Sequence, residues 1–290
     1  MRGTYITLDL IFLEKLLKNA SHPEKPHRNV SFLHAIGSIV NAKFQFSPNV
    51  YQWLKGTRTV PFDKLVKIVE LSDFSWTDIE KNLISIKAGI HKGEIYSKFP
   101  IIVGKEMGSI IGHILGDDSL DKRYSQIFFS NTNIELLQEF SDYIFILFGV
   151  KPCIWLQTSG NFKRKPQWIK RLDNLRQVKS GKSIGLFYPA IVGLLLNHTF
   201  DNFAVGKCKK ITPLILHSSK EFKKALIRAF FDDECSVYPE SYTMLVFQDN
   251  KSILRQMKRL LLGLGISSNK IRTYVKRNKD RGLFQYYWKR

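Results

Sequence analysis

Two apolar stretches of this 290-residue chain run directly into carboxylates. Residues 108–118 read GSIIGHILGDD and end in Asp117 and Asp118, and residues 225–235 read ALIRAFFDDEC and reach Asp232, Asp233 and Glu234. If each stretch is a helix, its acids stand at the end where the helix dipole presents partial negative charge. A carboxylate is disfavoured there until something positive is bound. The chemistry implied is that of a cation site, against the plainer reading of each stretch as a buried helix with a solvated end.

The elements that would bring these acids together can be read around them. Gly108, Gly112 and Gly116 recur every four residues and fall on one helical ridge, where missing side chains let a second backbone come close. Ala225 and Ala229 repeat that spacing, so the partner helix is expected within the chain. After Asp118 the order is a strand (RYSQIFFSN), a capping box of Thr132 with Glu135, and a helix through Phe148 that stops at Gly149. After Glu234 the order returns: TMLVFQ as a strand, then DNKSILRQMKRLLLGLGI as a helix stopping at Gly263 or Gly265. Asp117 precedes Gly149 by nearly the distance that separates Glu234 from Gly265. A period this long suits a two-fold repeat of whole subdomains rather than a solenoid.

Composition narrows the partner. Forty-five Lys and Arg against 25 Asp and Glu give a net charge of +20 and a pI near 9.8, which favours a polyanion, with nucleic acid as the leading candidate. Cys153, Cys208 and Cys235 show no CxxC or Cys/His spacing, so neither a zinc site nor a disulfide framework is expected, and an intracellular, cytoplasmic location fits. No apolar run approaches the length of a membrane-spanning helix, and no membrane partner is expected.

Upstream, residues 1–90 read as a separate helical domain. Apolar spacing predicts a helix from Leu8 to Leu17 with Thr7 as N-cap, a connection carrying His22 and His27, and a second helix from Phe32 to Phe44. Ser47, Pro48 and Gly56 bracket a short helix from Pro48 to about Lys55, Pro61 opens the next, and Ser75 with Asp78 starts another through about Ile86. Residues 45–71 resemble the end of a phage-repressor helix-turn-helix. That resemblance implies that Asn49 and Gln52 face base edges while Lys55, Thr57 and Arg58 meet phosphates. A plain helical hairpin with Trp53 in its core is the simpler alternative.

Two further regions are basic and interleaved with aromatics. Residues 151–188, with Lys163, Arg164, Lys170 and Arg171, and the C-terminal KIRTYVKRNKDRGLFQYYWKR, with Arg272, Tyr274, Lys276 and Arg277, alternate as β hairpins, the second turning near Asp280 to Gly282. One face of such a sheet packs on helices and the other presents cations that can follow DNA phosphates. A helix from about Pro189 to Asn197 separates the two regions.

The paired motifs resemble the LAGLIDADG homing endonuclease family in its single-chain, two-repeat form, closest to its archaeal and intein-borne branch. IIGHILGDD at 110–118 is similar to the family's L-L-G-x-x-x-G-D-G, and IRAFFDDEC at 227–235 to L-R-G-F-F-D-A-D-G. KKITPLILHSSKEFKKA resembles the lysine-then-proline block before the second motif, with Ser218 and Glu221 capping the motif helix. The resemblance covers about residues 100–290 and implies an α+β fold. Two pseudo-symmetric αββαββ repeats, 91–200 and 201–290, form a DNA-binding saddle behind a small all-α domain. It also implies that Asp117 and Glu234 hold divalent metal, normally Mg²⁺, and that Lys210, three residues before Pro213, assists, with Lys209 as second choice. Hard dications at two carboxylates and two negative dipole ends suit that assignment. The residue after each acid is Gly in the family and here is Asp118 and Cys235. The second repeat ends without its closing helix, and the chain, without a splicing Cys or Ser at its start or a final Asn, reads as free-standing.

The reading is a monomeric, site-specific endonuclease of double-stranded DNA. The alternatives are a LAGLIDADG-fold DNA-binding regulator that no longer cleaves and an RNA maturase acting on intron RNA.

Overall fold

A computed structural model describes residues 4–20, 48–88, 93–97, 99–116, 119–120, 126–157, 168–178, 182–205, 208–241, 243–248, 250–268, 271–276 and 279–287. The chain forms two compact units, Met1–Ile101 and Ile102–Arg290.

The first unit is not all-α. It runs β1 (Thr4–Leu8), α1 (Leu10–Ala20), α2 (Pro48–Leu54), β2 (Val60–Pro61), α3 (Phe62–Glu70), α4 (Trp76–Lys81), β3 (Leu83–Ala88) and β4 (Glu94–Ile95). Its sheet has the order β2-β1-β3-β4 and is antiparallel throughout. Two helical expectations fail at their ends for one reason: TYITL, buried at every second residue, pairs with LISIKA as an antiparallel strand. The first helix therefore begins after Asp9, whose side chain accepts from the Phe12 N–H at 2.9 Å, and not at Thr7. The helix expected to reach Ile86 ends at Lys81, although its capping box of Ser75 and Asp78 is present. Pairing of Lys87 with Glu94 carries the unit past the boundary expected near residue 90. Gly56, at φ +67°, closes α2 where the sequence placed its stop. The expected helix from Phe32 to Phe44 lies outside the described residues, as do His22 and His27.

The second unit is built of two halves. The first half contains α5 (Lys105–Leu115), β5 (Ser119–Leu120), β6 (Ile127–Asn131), α6 (Ile134–Phe148), β7 (Cys153–Gln157), β8 (Trp168–Leu172), β9 (Ile184–Phe187) and α7 (Ala190–Thr199). A short hairpin, β10 (Ala204–Val205) with β11 (Cys208–Lys209), and α8 (Pro213–Leu216) follow. The second half contains α9 (Lys220–Glu234), β12 (Cys235–Tyr238), β13 (Thr243–Gln248), α10 (Lys251–Gly263), β14 (Arg272–Lys276) and β15 (Lys279–Tyr287).

The second half is the expected αββαββ order, with sheet order β12-β13-β15-β14. The first half carries one strand more, with order β5-β6-β9-β7-β8. Here β9, rather than a strand of the β7–β8 hairpin, pairs with β6, which leaves β8 as an added edge. Both sheets are antiparallel throughout.

Three local details depart from the sequence reading. Asn133, not Thr132, caps α6, because its carboxamide accepts from the Glu135 N–H. Ser219, not Ser218, caps α9, since the Ser218 hydroxyl donates back to the Leu214 carbonyl. In the last hairpin Lys276 pairs with Lys279, so Asp280 to Gly282, expected at the turn, are already in β15. The stops at Gly149 (φ +62°) and Gly265 (φ +80°) are where the sequence placed them.

Candidate functional site

The site begins with two helices packed backbone to backbone. A Cβ added at Gly108 would overlap the Phe222 carbonyl, and one at Gly112 would overlap the Leu226 carbonyl and lie 2.8 Å from the Ala229 Cβ. At Gly116 it would meet the Asp233 carboxylate at 2.9 Å. These contacts advance in the same direction along both helices, so α5 and α9 run parallel and their C-terminal ends lie together. The glycine ridge thus has the partner that the sequence reading expected. Its contact line on α9 is Phe222, Leu226, Ala229 and Asp233 rather than Ala225 with Ala229.

Asp233 shapes the interface that results. Its Oδ2 lies 2.8 Å from Nδ1 of His113, and the two side chains are 0% and 1% exposed. His113 packs against the rings of Phe129 and Phe140, at centroid distances of 4.9 and 5.7 Å. Asp233 Oδ1 is buried with no hydrogen-bond partner among the described residues. A polar pair thus stands between two helices that otherwise meet through glycine, backbone and apolar groups. Sequence reasoning missed it, although there were two signals: His113 is the only ionisable residue inside the first apolar run, and Asp233 stands where the family motif has Ala.

Asp117 and Asp118 follow Gly116 and lie outside the described residues. Glu234 closes α9, and its Oε1 accepts a 2.7 Å hydrogen bond from Gln248 Nε2 on β13. Of the two lysines, it is Lys209 that the fold brings to the end of α5. Its Nζ donates to the Gly116 carbonyl at 2.6 Å and approaches that of Leu115 at 3.4 Å, cation against the negative end of the dipole. Lys210 is exposed, with its backbone N–H on the Phe203 carbonyl. Asp232 turns outward to Arg228, at 3.6 Å, and burial pushes its carboxyl above the usual range, opposed in part by that guanidinium.

The missing glycine after Glu234 costs no backbone strain. Cys235 adopts φ −103°, ψ 139°, ordinary extended backbone, and begins β12. Burial pushes its thiol up to about 11.

The remaining predicted residues distribute as follows. Lys170 and Arg171 are exposed on the edge strand β8, while Lys163, Arg164 and Arg277 lie outside the described residues. The backbone of Arg272, Tyr274 and Lys276 forms β14, an edge strand. In the first unit Arg58 Nη1 donates to Asn49 Oδ1 at 3.0 Å, Lys55 Nζ lies 4.5 Å from the centre of the Tyr51 ring, and Gln52 Oε1 is buried without a partner among the described residues.

Of the two predicted metal-binding carboxylates, Glu234 is the one within the described residues, and carboxylate oxygen is a donor that suits a hard divalent cation. Among the described residues no group of three or more His, Cys, Asp and Glu is gathered that could hold a metal by itself. No described helix is long and apolar enough to cross a membrane.

The LAGLIDADG-like domain family matches residues 221–287, which hold the second motif and the strands and helix that follow it. No curated protein sequence matches the chain. Among solved structures, mesophilic variants of the homing endonuclease I-DmoI are similar at 14% identity and a TM-score of 0.39, over 63% of this chain and 89% of that one. I-DmoI in complex with DNA and Ca is similar at 14% and 0.39, over 63% and 83%. The N-terminal LAGLIDADG domain of DUF199/WhiA is similar at 13% and 0.38, over 65% and 79%. At these identities the likeness is one of fold alone.

Proposed function

We propose that the protein is a metal-dependent, site-specific endonuclease of double-stranded DNA, of the homing type. The observation that supports this reading is the parallel packing of α5 and α9 through glycine, which brings Asp233, the residue before Glu234, against Gly116, the residue before Asp117. Asp117 and Glu234 would hold divalent metal, Mg²⁺ in the cell, which when bound activates water and offsets charge at a scissile phosphate. Gln248 orients the Glu234 carboxylate through its 2.7 Å hydrogen bond. Lys209 places a cation on the Gly116 carbonyl, one residue before Asp117. Exposed Lys170 and Arg171 contribute phosphate contacts, with Arg272, Tyr274, Lys276, Lys163, Arg164 and Arg277 assigned to the same surface. The first unit extends the contact through α2. Both acid-bearing helices belong to one chain, which supports action as a monomer, and the cysteine spacing fits an intracellular location.

The test is a pool of randomised duplexes incubated with Mg²⁺, Mn²⁺ or Ca²⁺. Cleavage at a recurrent sequence is expected with Mg²⁺ and Mn²⁺, and Asp117→Asn or Glu234→Gln should each slow it about a thousandfold, the size of a loss of several kcal/mol. Selection of a bound sequence that no divalent metal causes to be cut would instead make the protein a DNA-binding regulator. Preference for intron RNA over duplex DNA would make it a maturase.

A further inference from the structure

The first unit holds a cavity of about 630 Å³ between the loop that leaves α2 and the face of the sheet opposite its apolar core. Its size is that of a small-ligand pocket. Strand pairing explains one wall: Tyr5 lies opposite Lys87 and Lys87 opposite Glu94, so three residues form a row across β1, β3 and β4 on one face. The other wall is the loop from Gly56 to Thr59. Its shape is held by the Gln52 carbonyl, which accepts from the Thr57 N–H, the Arg58 N–H and the Thr57 hydroxyl.

The charges in this cavity are not balanced against one another. Glu94 is its acid, yet its carboxylate accepts from the hydroxyls of Thr7, Ser85 and Tyr96. Lys87, directly opposite, has no ion pair among the described residues, and neither has Arg58. Arg58 commits an N–H to Asn49 and keeps other donors of its guanidinium available. Two cations against one carboxylate that is already held by three hydroxyls, with Thr57, Thr59 and a tyrosine also lining the cavity, disfavour a metal ion and an apolar ligand alike. They complement an anion that is accompanied by a sugar.

We propose that this cavity seats a phosphodiester of the DNA backbone, with the phosphate between Arg58 and Lys87 and the deoxyribose against Tyr5. The inference rests on reading the protein as one that binds DNA. It adds a sheet-borne contact to the one expected of α2 and its loop.

The test measures equilibrium binding of a fluorescent duplex to the full-length protein across a range of KCl, in Ca²⁺, for the wild type, Lys87→Gln and Lys87→Glu. Circular dichroism melting confirms that each variant folds. Lys87→Gln should weaken binding three- to tenfold at low salt and lower the slope of log K against log salt by about 0.9, the share of one phosphate. Lys87→Glu should weaken it further, and both effects should persist in an Asp117→Asn background. Adenosine monophosphate at millimolar concentration should compete only weakly. Wild-type affinity and slope in folded Lys87 variants overturn the proposal while leaving the nuclease reading intact. Tight, Lys87-dependent binding of adenosine monophosphate with unchanged DNA affinity also overturns it, in favour of a free nucleotide. A wild type that binds no duplex at all overturns both.

Discussion

Helix α5 meets its partner with Gly108, Gly112 and Gly116, whereas α9 answers with Phe222, Leu226, Ala229 and Asp233. The two helices occupy equivalent places in a duplicated topology, yet α5 lines the contact with glycine alone while α9 meets it with the Phe222 and Leu226 carbonyls and with the side chains of Ala229 and Asp233. The polar pair is one-sided in the same way. In the aligned motifs His113 corresponds to Phe230 and Asp233 to Gly116, so His113–Asp233 has no symmetry mate. Duplication thus preserved the parallel packing that brings the helix ends together, while the contact across the axis became specific to the pairing of unlike halves.

The largest effect should come from filling the glycine side. Gly112→Val puts a side chain where the Leu226 carbonyl stands and should destabilise the second unit by at least about 3 kcal/mol. Gly263→Ala, at a position with nothing within 4 Å, should be neutral or stabilise by about 0.5 kcal/mol. Urea unfolding of both variants decides this. Equal losses would mean that close packing is not what α5 contributes.

The next effect probes the one-sided pair. His113→Leu and Asp233→Ala each leave a buried partner unmatched and should each cost about 3 kcal/mol, whereas the double variant should cost markedly less than their sum. Additive losses in the double-mutant cycle would show that the two groups, 2.8 Å apart, do not act as a pair.

The smallest effect concerns the ends of the helices. The folded state holds the Cys235 thiol protonated up to about pH 11, against 9.0 for the unfolded chain. Its contribution to stability is therefore complete below pH 9 and is lost as the pH rises towards about 11. Melting temperatures of the wild type should fall over that window by more than those of Cys235→Ala. Identical pH profiles would show that burial does not perturb the thiol. Cys235→Gly should bring no gain in stability, because the backbone there is already ordinary for any residue.

Much of this was legible in the chain. The glycine spacing announced close helix packing, and Ser75, Gly56, Gly149 and Gly265 marked ends correctly. Short-range signals of this kind are read directly because a cap or a left-handed turn depends on a few neighbouring residues. The N-terminal sheet was not legible, since TYITL and LISIKA become strands by pairing with each other across most of the unit. Choosing between Lys209 and Lys210 was equally out of reach: adjacent residues point to different sides, and only the β10–β11 hairpin decides which one meets α5.

By itself, the sequence determined that two similar halves exist, that each opens with a helix ending in acid, and that the whole is strongly basic, because periodicity, motif and charge are properties of the chain. Tertiary structure decided which groups meet. It paired Gly116 with Asp233, buried His113 against that aspartate, set Gln248 on Glu234 and closed a polar cavity over Lys87. The physical reason is that a side chain's partner across an interface is set by the register and direction of packed elements, which residues far apart in the chain fix jointly.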